Sequence, residues 1–188
     1  MFRLSIVAFA AVLCGQISAG ATTYEPVTFD ELVTRADVIF VGEVTDVRPF
    51  PLDTPDGTIV KTRVIFRVSD PISGTTNILE VLDFFGGEWG DLGMAIEGMP
   101  EFSVGDRRVV FASRGRSINP IVGFTQGLLQ ISRDSGGVDR VFTLGGVPLG
   151  QPESIGIRSL LVPAAPVAAM RLSEFRDRIG RALAETQR

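Results

Sequence analysis

The sequence predicts an all-β fold, a barrel or sandwich of short antiparallel strands with one helix before it and one after it. Strand-like segments follow one another at close spacing between positions 38 and 144, and glycine-containing turns separate them. Helical periodicity occurs only at the two ends of this region. Many short strands joined by glycine turns are typical of small barrels and sandwiches.

The first 21 residues have the features of a secretory signal peptide. Arg3 supplies a positive charge, residues 4–13 are apolar without interruption, and Ala19-Gly20-Ala21 has the small residues of a cleavage site. The apolar run is shorter than the about 20 residues that cross a bilayer. We therefore expect cleavage near Ala21 and a secreted or periplasmic mature protein with no membrane segment.

The composition excludes several classes of chemistry. The chain has no histidine, and its one cysteine, Cys14, lies inside the expected signal peptide. Lipidation of Cys14 is an alternative, but bulky Leu13 stands where a small residue usually precedes a lipidated cysteine. Without His or Cys the mature chain has no Ser-His-Asp or Cys-His nucleophile system, no His-bound zinc and no disulfide. The net charge of −4, with its charges interspersed, argues against a nucleic-acid partner.

A short helix and a kinked strand begin the folded part. Thr28 and Glu31 have the spacing of a capping box, which predicts a helix over Phe29–Arg35. In the stretch Ala36–Arg48, residues 38–41 are all apolar, which predicts a strand covered on both faces. Polar residues mix in from Gly42, and a glycine at this point predicts a bulge or bend. We expect the barrel to curl around this strand.

The next segments predict a hairpin and a third strand. Pro49–Gly57 contains three prolines and an Asp-Gly pair, which predict a loop. Thr58–Val68 alternates, with residues 60, 62, 64, 66 and 68 on one face and a basic row on the other, Lys61, Arg63 and Arg67. That row is expected to face solvent, with contact to an acidic partner as the alternative. A turn over Asp70–Thr76 then leads to a strand over Asn77–Phe85, with Leu79, Val81 and Phe85 on one side.

The remaining sequence predicts four more strands and a terminal helix. Val104-Gly105-Asp106 predicts a tight turn, and strands are expected over 108–112, 118–125, 128–133 and 138–144. The connection 145–171 is rich in Gly, Pro and Ala and is expected to run partly extended over the surface. In the terminal segment 172–188, apolar residues recur at helical spacing: Leu172, Phe175, Ile179 and Leu183. This pattern predicts an amphipathic helix that packs on the domain formed by 22–144.

Three stretches together resemble uncharacterised secreted bacterial proteins with a netrin-like or tissue-metalloprotease-inhibitor-like domain: 29–44, 62–68 and 98–107. The resemblance covers roughly residues 28–133. It implies an OB-like barrel of five to seven antiparallel strands, and it suggests a secreted protease as partner. In the animal inhibitors an N-terminal cysteine presents its amine to the protease zinc, and the mature chain here has no cysteine.

The glycine-rich segment Gly86–Pro100 is the strongest candidate for a partner-binding rim, because rim loops of barrels often carry binding. Its candidate contact residues are Glu88, Trp89, Asp91, Leu92, Met94 and Met99. In an alternative interpretation, Trp89 is a sugar platform and the two acids serve as proton donor and base. A solvated rim in which glycines supply positive φ would explain the segment without any ligand.

We predict no cofactor and no metal site. Calcium is an alternative at Asp53/Asp56 or Asp134/Asp139, but neither pair fits the 12-residue calcium loop, and turn chemistry explains these acids. The expected function is a non-catalytic exported interaction module that binds a protein partner. The alternatives are a carbohydrate-binding or carboxylate-based hydrolytic protein and a structural envelope protein with no specific ligand.

Overall fold

A computed structural model describes residues 25–156 and 167–186, so the expected signal peptide, 1–21, lies outside the described residues. Two helices and eight strands are present in these ranges. The helices are α1 (Phe29–Arg35) and α2 (Leu172–Thr186), and a 3₁₀ turn covers Pro152–Ser154. The strands are β1 (Val38–Thr54), β2 (Gly57–Ser73), β3 (Leu79–Phe85), β4 (Gly87–Trp89), β5 (Leu92–Met94), β6 (Arg107–Ala112), β7 (Leu128–Arg133) and β8 (Asp139–Phe142).

The main sheet has six antiparallel strands in the order β3-β2-β1-β6-β7-β8, and β4 and β5 form a separate two-stranded sheet. The mostly-β class with a helix at each end is therefore confirmed. Within the described residues, β3 and β8 are the edges of the sheet and do not pair with each other. One backbone hydrogen bond, from the Phe85 amide to the Ile118 carbonyl at 2.8 Å, joins the end of β3 to the loop that follows β6.

Helix α1 begins with the predicted capping box. The Glu31 amide donates to the Thr28 hydroxyl at 3.2 Å, and the Thr28 amide donates to the Glu31 carboxylate at 2.8 Å. These bonds satisfy amide groups that a helix start otherwise leaves without partners. The helix thus starts and ends where the sequence predicts it.

Both faces of the sheet are covered, which explains the continuous apolar run at the start of β1. On the helix face, Ile39 and Val41 belong to a cluster with residues of α1 and α2. On the opposite face, called here the phenylalanine face, Val38 and Phe40 belong to a second cluster. Four phenylalanine rings pack in a row on this face. The ring centroids of Phe40 and Phe66 are 5.6 Å apart, those of Phe66 and Phe102 are 5.8 Å apart, and those of Phe102 and Phe84 are 4.8 Å apart. The pairing register with β2 shifts between Val41 and Gly42, where the sequence predicts a bulge.

Strand β1 continues through the segment that the sequence predicts as a loop. Pro49 and Pro51 lie opposite Thr62 and Val60 of β2, and the chain reverses only at residues 55 and 56. On its other side β1 pairs with β6 only as far as Glu43. Prolines are tolerated on such an edge because the missing N–H has no neighbouring strand to bond. On the far side of β2, β3 pairs only as far as Lys61, which lies opposite Phe50, so beyond these residues β1 and β2 continue alone as a two-stranded arm.

The strand predicted over 77–85 is present as β3, but the turn predicted before it is not where the sequence predicts it. The predicted turn at 70–76 is mostly strand, since β2 runs to Ser73 and Ile72 packs on the helix face. Strand β3 turns its other side inward, because Glu80, Leu82 and Phe84 are buried while Leu79 and Val81 are 52% and 48% exposed. Both alternating sets of β3 contain large apolar residues, so the pattern alone does not choose between them.

Burial of Glu80 is stabilised by polar partners from two other segments. Its carboxylate accepts hydrogen bonds from the Thr75 hydroxyl, from the Asn77 side-chain amide at 3.1 Å and from the Arg114 guanidinium at 3.2 Å. A buried carboxylate is tolerated when it is paired and hydrogen-bonded in this way. Arg114 lies 34 residues away along the chain, so the partner that permits this burial is not evident from local sequence.

The predicted strand over 118–125 is instead a series of turns. Asn119 organises it: its side chain accepts from the Ile121 amide at 2.9 Å and donates to the Phe124 carbonyl at 3.1 Å. Gly123 and Phe124 both have positive φ, 66° and 67°, which no strand residue adopts. Ile121 and Val122 are nonetheless fully buried, so their apolar character reflects core packing and not strand formation. The strands predicted over 108–112 and 128–133 are present, and β8 is shorter than predicted.

The expected surface connection, 145–171, contributes to the core where it is described. Leu149 and Ile155 are 0% and 3% exposed and belong to the helix-face cluster, as does Met170. Residues 157–166 lie outside the described ranges. Helix α2 then packs on the sheet through Phe175 and Ile179, which are fully buried, as the helical spacing predicts.

Of the acids considered for calcium, Asp139 is held by arginines and Asp134 by an arginine and turn amides, while Asp53 accepts a hydrogen bond from the Thr58 hydroxyl at 2.8 Å. Asp139 accepts two hydrogen bonds from Arg107, at 2.9 and 2.7 Å, and two from Arg133, at 2.9 and 3.3 Å. Asp134 accepts from the Gly136 and Val138 amides and from Arg140. Hydrogen bonds from Arg107 and then Arg133 lower the pKa of Asp139 far below its usual value, although its burial opposes this. In residues 25–156 and 167–186 no group of three His, Cys, Asp or Glu side chains is placed to hold a metal ion.

The substitution Asp139→Asn is expected to lower the free energy of unfolding by about 1–2 kcal/mol at pH 7, because it removes charge-assisted hydrogen bonds. The folded-state pKa lies below the unfolded one, so this stabilisation is present above about pH 4 and is lost as the pH falls further. Urea unfolding at pH 7, 4 and 2.5 measures the effect. The exposed turn residue Asp56, changed to Asn, serves as the matched control. A difference between Asp139→Asn and wild type that stays constant across this pH range would contradict the assignment.

No helix within the described ranges combines the length and the apolar character needed to cross a membrane.

The basic row on β2 is partly neutralised by its neighbours: Arg63 forms a bidentate ion pair with Asp83 at 2.8 Å and lies 4.9 Å from the Phe50 ring centroid. Arg67 is exposed on the same face. The row therefore faces outward, as its alternation predicts.

Candidate binding site at the second hairpin

The segment predicted to be irregular is an ordered hairpin, β4–β5. Trp89 pairs with Leu92 across a two-residue turn, Gly90-Asp91. Gly90 has φ 58°, and Asp91 is not among the residues with positive φ, which is the combination of a type II′ turn. The glycines of this segment supply backbone conformation, as predicted, but they build a defined hairpin.

Two consecutive glycines attach the hairpin to the sheet. Gly86 and Gly87 have φ 102° and 131°, a region that side chains disfavour. A Cβ on Gly87 would lie 2.5 Å from the Thr62 hydroxyl oxygen. The same hydroxyl donates to the Gly86 carbonyl at 2.8 Å, and the Val60 amide donates to the Met94 sulfur at 3.1 Å. Close backbone approach thus fixes β4–β5 over the base of the β1–β2 arm.

A pocket of about 440 Å³ lies between the hairpin and the phenylalanine face. Its lining residues come from the end of β3, from β1 and β2, and from the chain after β5; those used below are Thr62, Phe84, Met94, Met99, Glu101 and Phe102. The Phe84 and Phe102 rings, whose centroids are 4.8 Å apart, give it an aromatic wall. The two methionines add flexible apolar surface that adapts to ligands of different shape.

The six predicted rim residues lie in one part of the molecule but have different environments. Met94 and Met99 are half-buried and line the pocket. Trp89 and Leu92 are 49% and 46% exposed and form an apolar pair near the tip of the hairpin. Glu88 and Asp91 are exposed and do not line the pocket. The site thus combines a pocket that has an aromatic wall with an exposed apolar pair.

Sequence reasoning missed the walls that come from distant segments. The sequence predicted Thr62 and Phe84 in two separate strands and Phe102 just before the turn at 104–106. Nothing in the sequence indicated that these three side chains line one pocket. The two-residue alternation of β2 places Thr62 on the inward face, which was the only available signal. Their proximity follows from the fold-back at Gly86 and Gly87.

No protein-family model, no curated protein and no solved structure matches this chain.

Proposed function

We propose that this chain is an exported, non-catalytic interaction module that binds a protein partner through hairpin β4–β5 and the adjoining pocket. The observation that supports it is the combination of a pocket of about 440 Å³, which has an aromatic wall, with the exposed Trp89–Leu92 pair. Exposed aromatic residues beside a pocket that accepts an apolar anchor are the usual centre of a protein interface. We further propose that the six-stranded sheet is an open form of an OB-like barrel. A secreted protease as partner is suggested only by the sequence resemblance.

The double substitution Trp89→Ala/Leu92→Ala is expected to weaken partner binding about 30-fold or more, because truncation of an aromatic anchor typically costs at least about 2 kcal/mol. The mature protein, tagged at its C-terminus, is used to capture partners from the secreted fraction of its native host, and they are quantified by mass spectrometry. Val104→Ala/Val147→Ala is the matched control, since both valines are exposed apolar residues outside the hairpin. Thermal unfolding of both variants reports whether either one affects folding.

The proposal is contradicted if wild type, the hairpin variant and the control capture the same partners in the same amounts. Loss of the same partners in the control variant would also contradict it, since the effect would not be specific to the hairpin. The aromatic-retaining variant Trp89→Phe should keep most of the binding and separates the role of the ring from that of the hairpin fold.

Carbohydrate binding is a second candidate, favoured by one observation: Trp89 is half exposed with Glu88 and Asp91 beside it. In that case soluble oligosaccharides should shift the fluorescence of Trp89 and compete with captured ligands. If millimolar oligosaccharide leaves the Trp89 fluorescence unchanged and partner capture is retained, the carbohydrate-binding candidate is rejected and the protein-binding proposal stands.

A further inference from the structure

The segment that forms hairpin β4–β5 and much of the pocket lining is acidic. Residues 86–102 contain four acids, Glu88, Asp91, Glu97 and Glu101, and no lysine or arginine. Several carboxylates of the main sheet pair with arginines, as Asp83 does with Arg63 and Asp139 with Arg107. Among the described residues, Glu88, Asp91 and Glu101 have no such ion pair. Of these three, Glu101 belongs to the pocket lining, and Glu88 and Asp91 lie on the adjoining hairpin.

We propose that the partner segment is cationic, with lysine or arginine on either side of one or two apolar side chains that enter the pocket. This inference rests on the proposed function and specifies the chemistry of its partner. The apolar side chain contacts Phe84, Phe102 and the two methionines. The flanking cations meet the unpaired carboxylates, and one of them can lie over the Trp89 ring, where a cation–π contact is favourable.

Charge complementarity selects this partner over others. A negatively charged rim repels nucleic acid and anionic lipid surfaces, and it disfavours acidic protein segments. Complementary charges at the rim of an interface mainly raise the association rate and exclude wrong partners, while the apolar anchor supplies most of the affinity. The arrangement thus predicts a dependence on both features of the partner and on salt concentration.

The only tryptophan of the chain is Trp89, so its fluorescence reports directly on the hairpin. The full mature protein is titrated with a capped hexapeptide that has two leucines between pairs of lysines. Three matched peptides replace the lysines by glutamate, the lysines by serine, or the leucines by serine. The lysine–leucine peptide is expected to give a saturable blue shift that weakens markedly between 50 and 500 mM NaCl, because screening shortens the range of exposed charges.

The charge variant Glu88→Gln/Asp91→Asn/Glu101→Gln is expected to bind the lysine–leucine peptide about tenfold more weakly at low salt, as the sum of three exposed ion pairs suggests. Its affinity at 500 mM NaCl should approach that of wild type. The control Glu174→Gln/Asp177→Asn/Glu185→Gln changes the net charge equally, at three exposed positions of α2. Binding by this control should stay within about twofold of wild type.

The results separate this inference from the proposed function. Equal binding of the lysine, serine and glutamate forms of the leucine peptide, with partner capture lost in Trp89→Ala/Leu92→Ala, would refute the cationic partner and leave the interaction site in place. Equal binding of the peptide without leucine would show non-specific charge attraction and refute the inference as well. No shift with any peptide, together with unchanged capture by the hairpin variant, would refute both.

Discussion

Replacement of Phe175 by alanine is expected to lower the free energy of unfolding by about 3–5 kcal/mol, the usual cost of removing a buried aromatic side chain. Phe175 is fully buried, and its ring centroid lies 5.8 Å from that of Phe29 and 6.3 Å from that of Phe111. It therefore joins α2 to α1 and to β6 in one contact group. Since domains of this size are stable by about 5–15 kcal/mol, the loss is a large fraction of the total.

Urea unfolding followed by circular dichroism at 222 nm measures this loss. Phe50→Ala is the matched control, because Phe50 is only half-buried on the β1–β2 arm and contacts Arg63. We expect this control to cost about 1 kcal/mol, in keeping with surface substitutions of limited burial. A Phe175→Ala midpoint as close to wild type as that of the control would mean that α2 does not contribute to the core.

The second large effect is expected at Gly74, in the turn after β2. Its φ is +70°, and an added Cβ would lie 1.8 Å from the Asp37 carbonyl oxygen. That contact involves backbone, which cannot rotate away, and Asp37 is itself held by hydrogen bonds from the Ser113 hydroxyl and the Arg114 amide, both at 2.8 Å. Gly74→Ala is therefore expected to cost about 3 kcal/mol or more, as the sum of left-handed strain and overpacking.

Gly137→Ala separates the two contributions. Gly137 has φ +77°, nearly the same as Gly74, but nothing lies within 4 Å of an added Cβ. In this control only the left-handed strain should lower the free energy of unfolding, by about 1 kcal/mol. Urea midpoints of the two variants give the comparison, and equal midpoints would show that the close approach between the β2 turn and Asp37 is not needed for folding.

The reliable sequence signals were those that act between near neighbours. The capping box at Thr28 and Glu31 determined where α1 begins, since both hydrogen bonds close within three residues. The apolar spacing of Phe175 and Ile179 likewise identified the buried side of α2. By contrast, Pro49 and Pro51 were interpreted as loop residues. Only the absence of a pairing strand beyond Glu43 on the other side of β1 makes them compatible with a strand.

In the candidate site, too, local sequence predicted some features, while others depend on contacts between distant segments. The glycines and Trp89 identified the segment, because Gly90 and its neighbours carry conformations that other residues avoid. The pocket itself was not predictable, since its aromatic wall combines Phe84 of β3 with Phe102 from beyond β5. These rings meet only after the chain folds back at Gly86 and Gly87.

The sequence by itself determined the β-rich class, the helix at each end, the doubly covered start of β1 and the absence of histidine from the chain. These properties depend on residue type and short-range period. The tertiary structure alone decided which side of β3 is buried, because both of its alternating sets are apolar and Arg114 must approach from another segment to accommodate Glu80. It also decided that residues 121 and 122 lie in buried turns and that hairpin β4–β5 adjoins a pocket with an aromatic wall. Such outcomes depend on which distant segments come into contact, and local pattern carries no information about that.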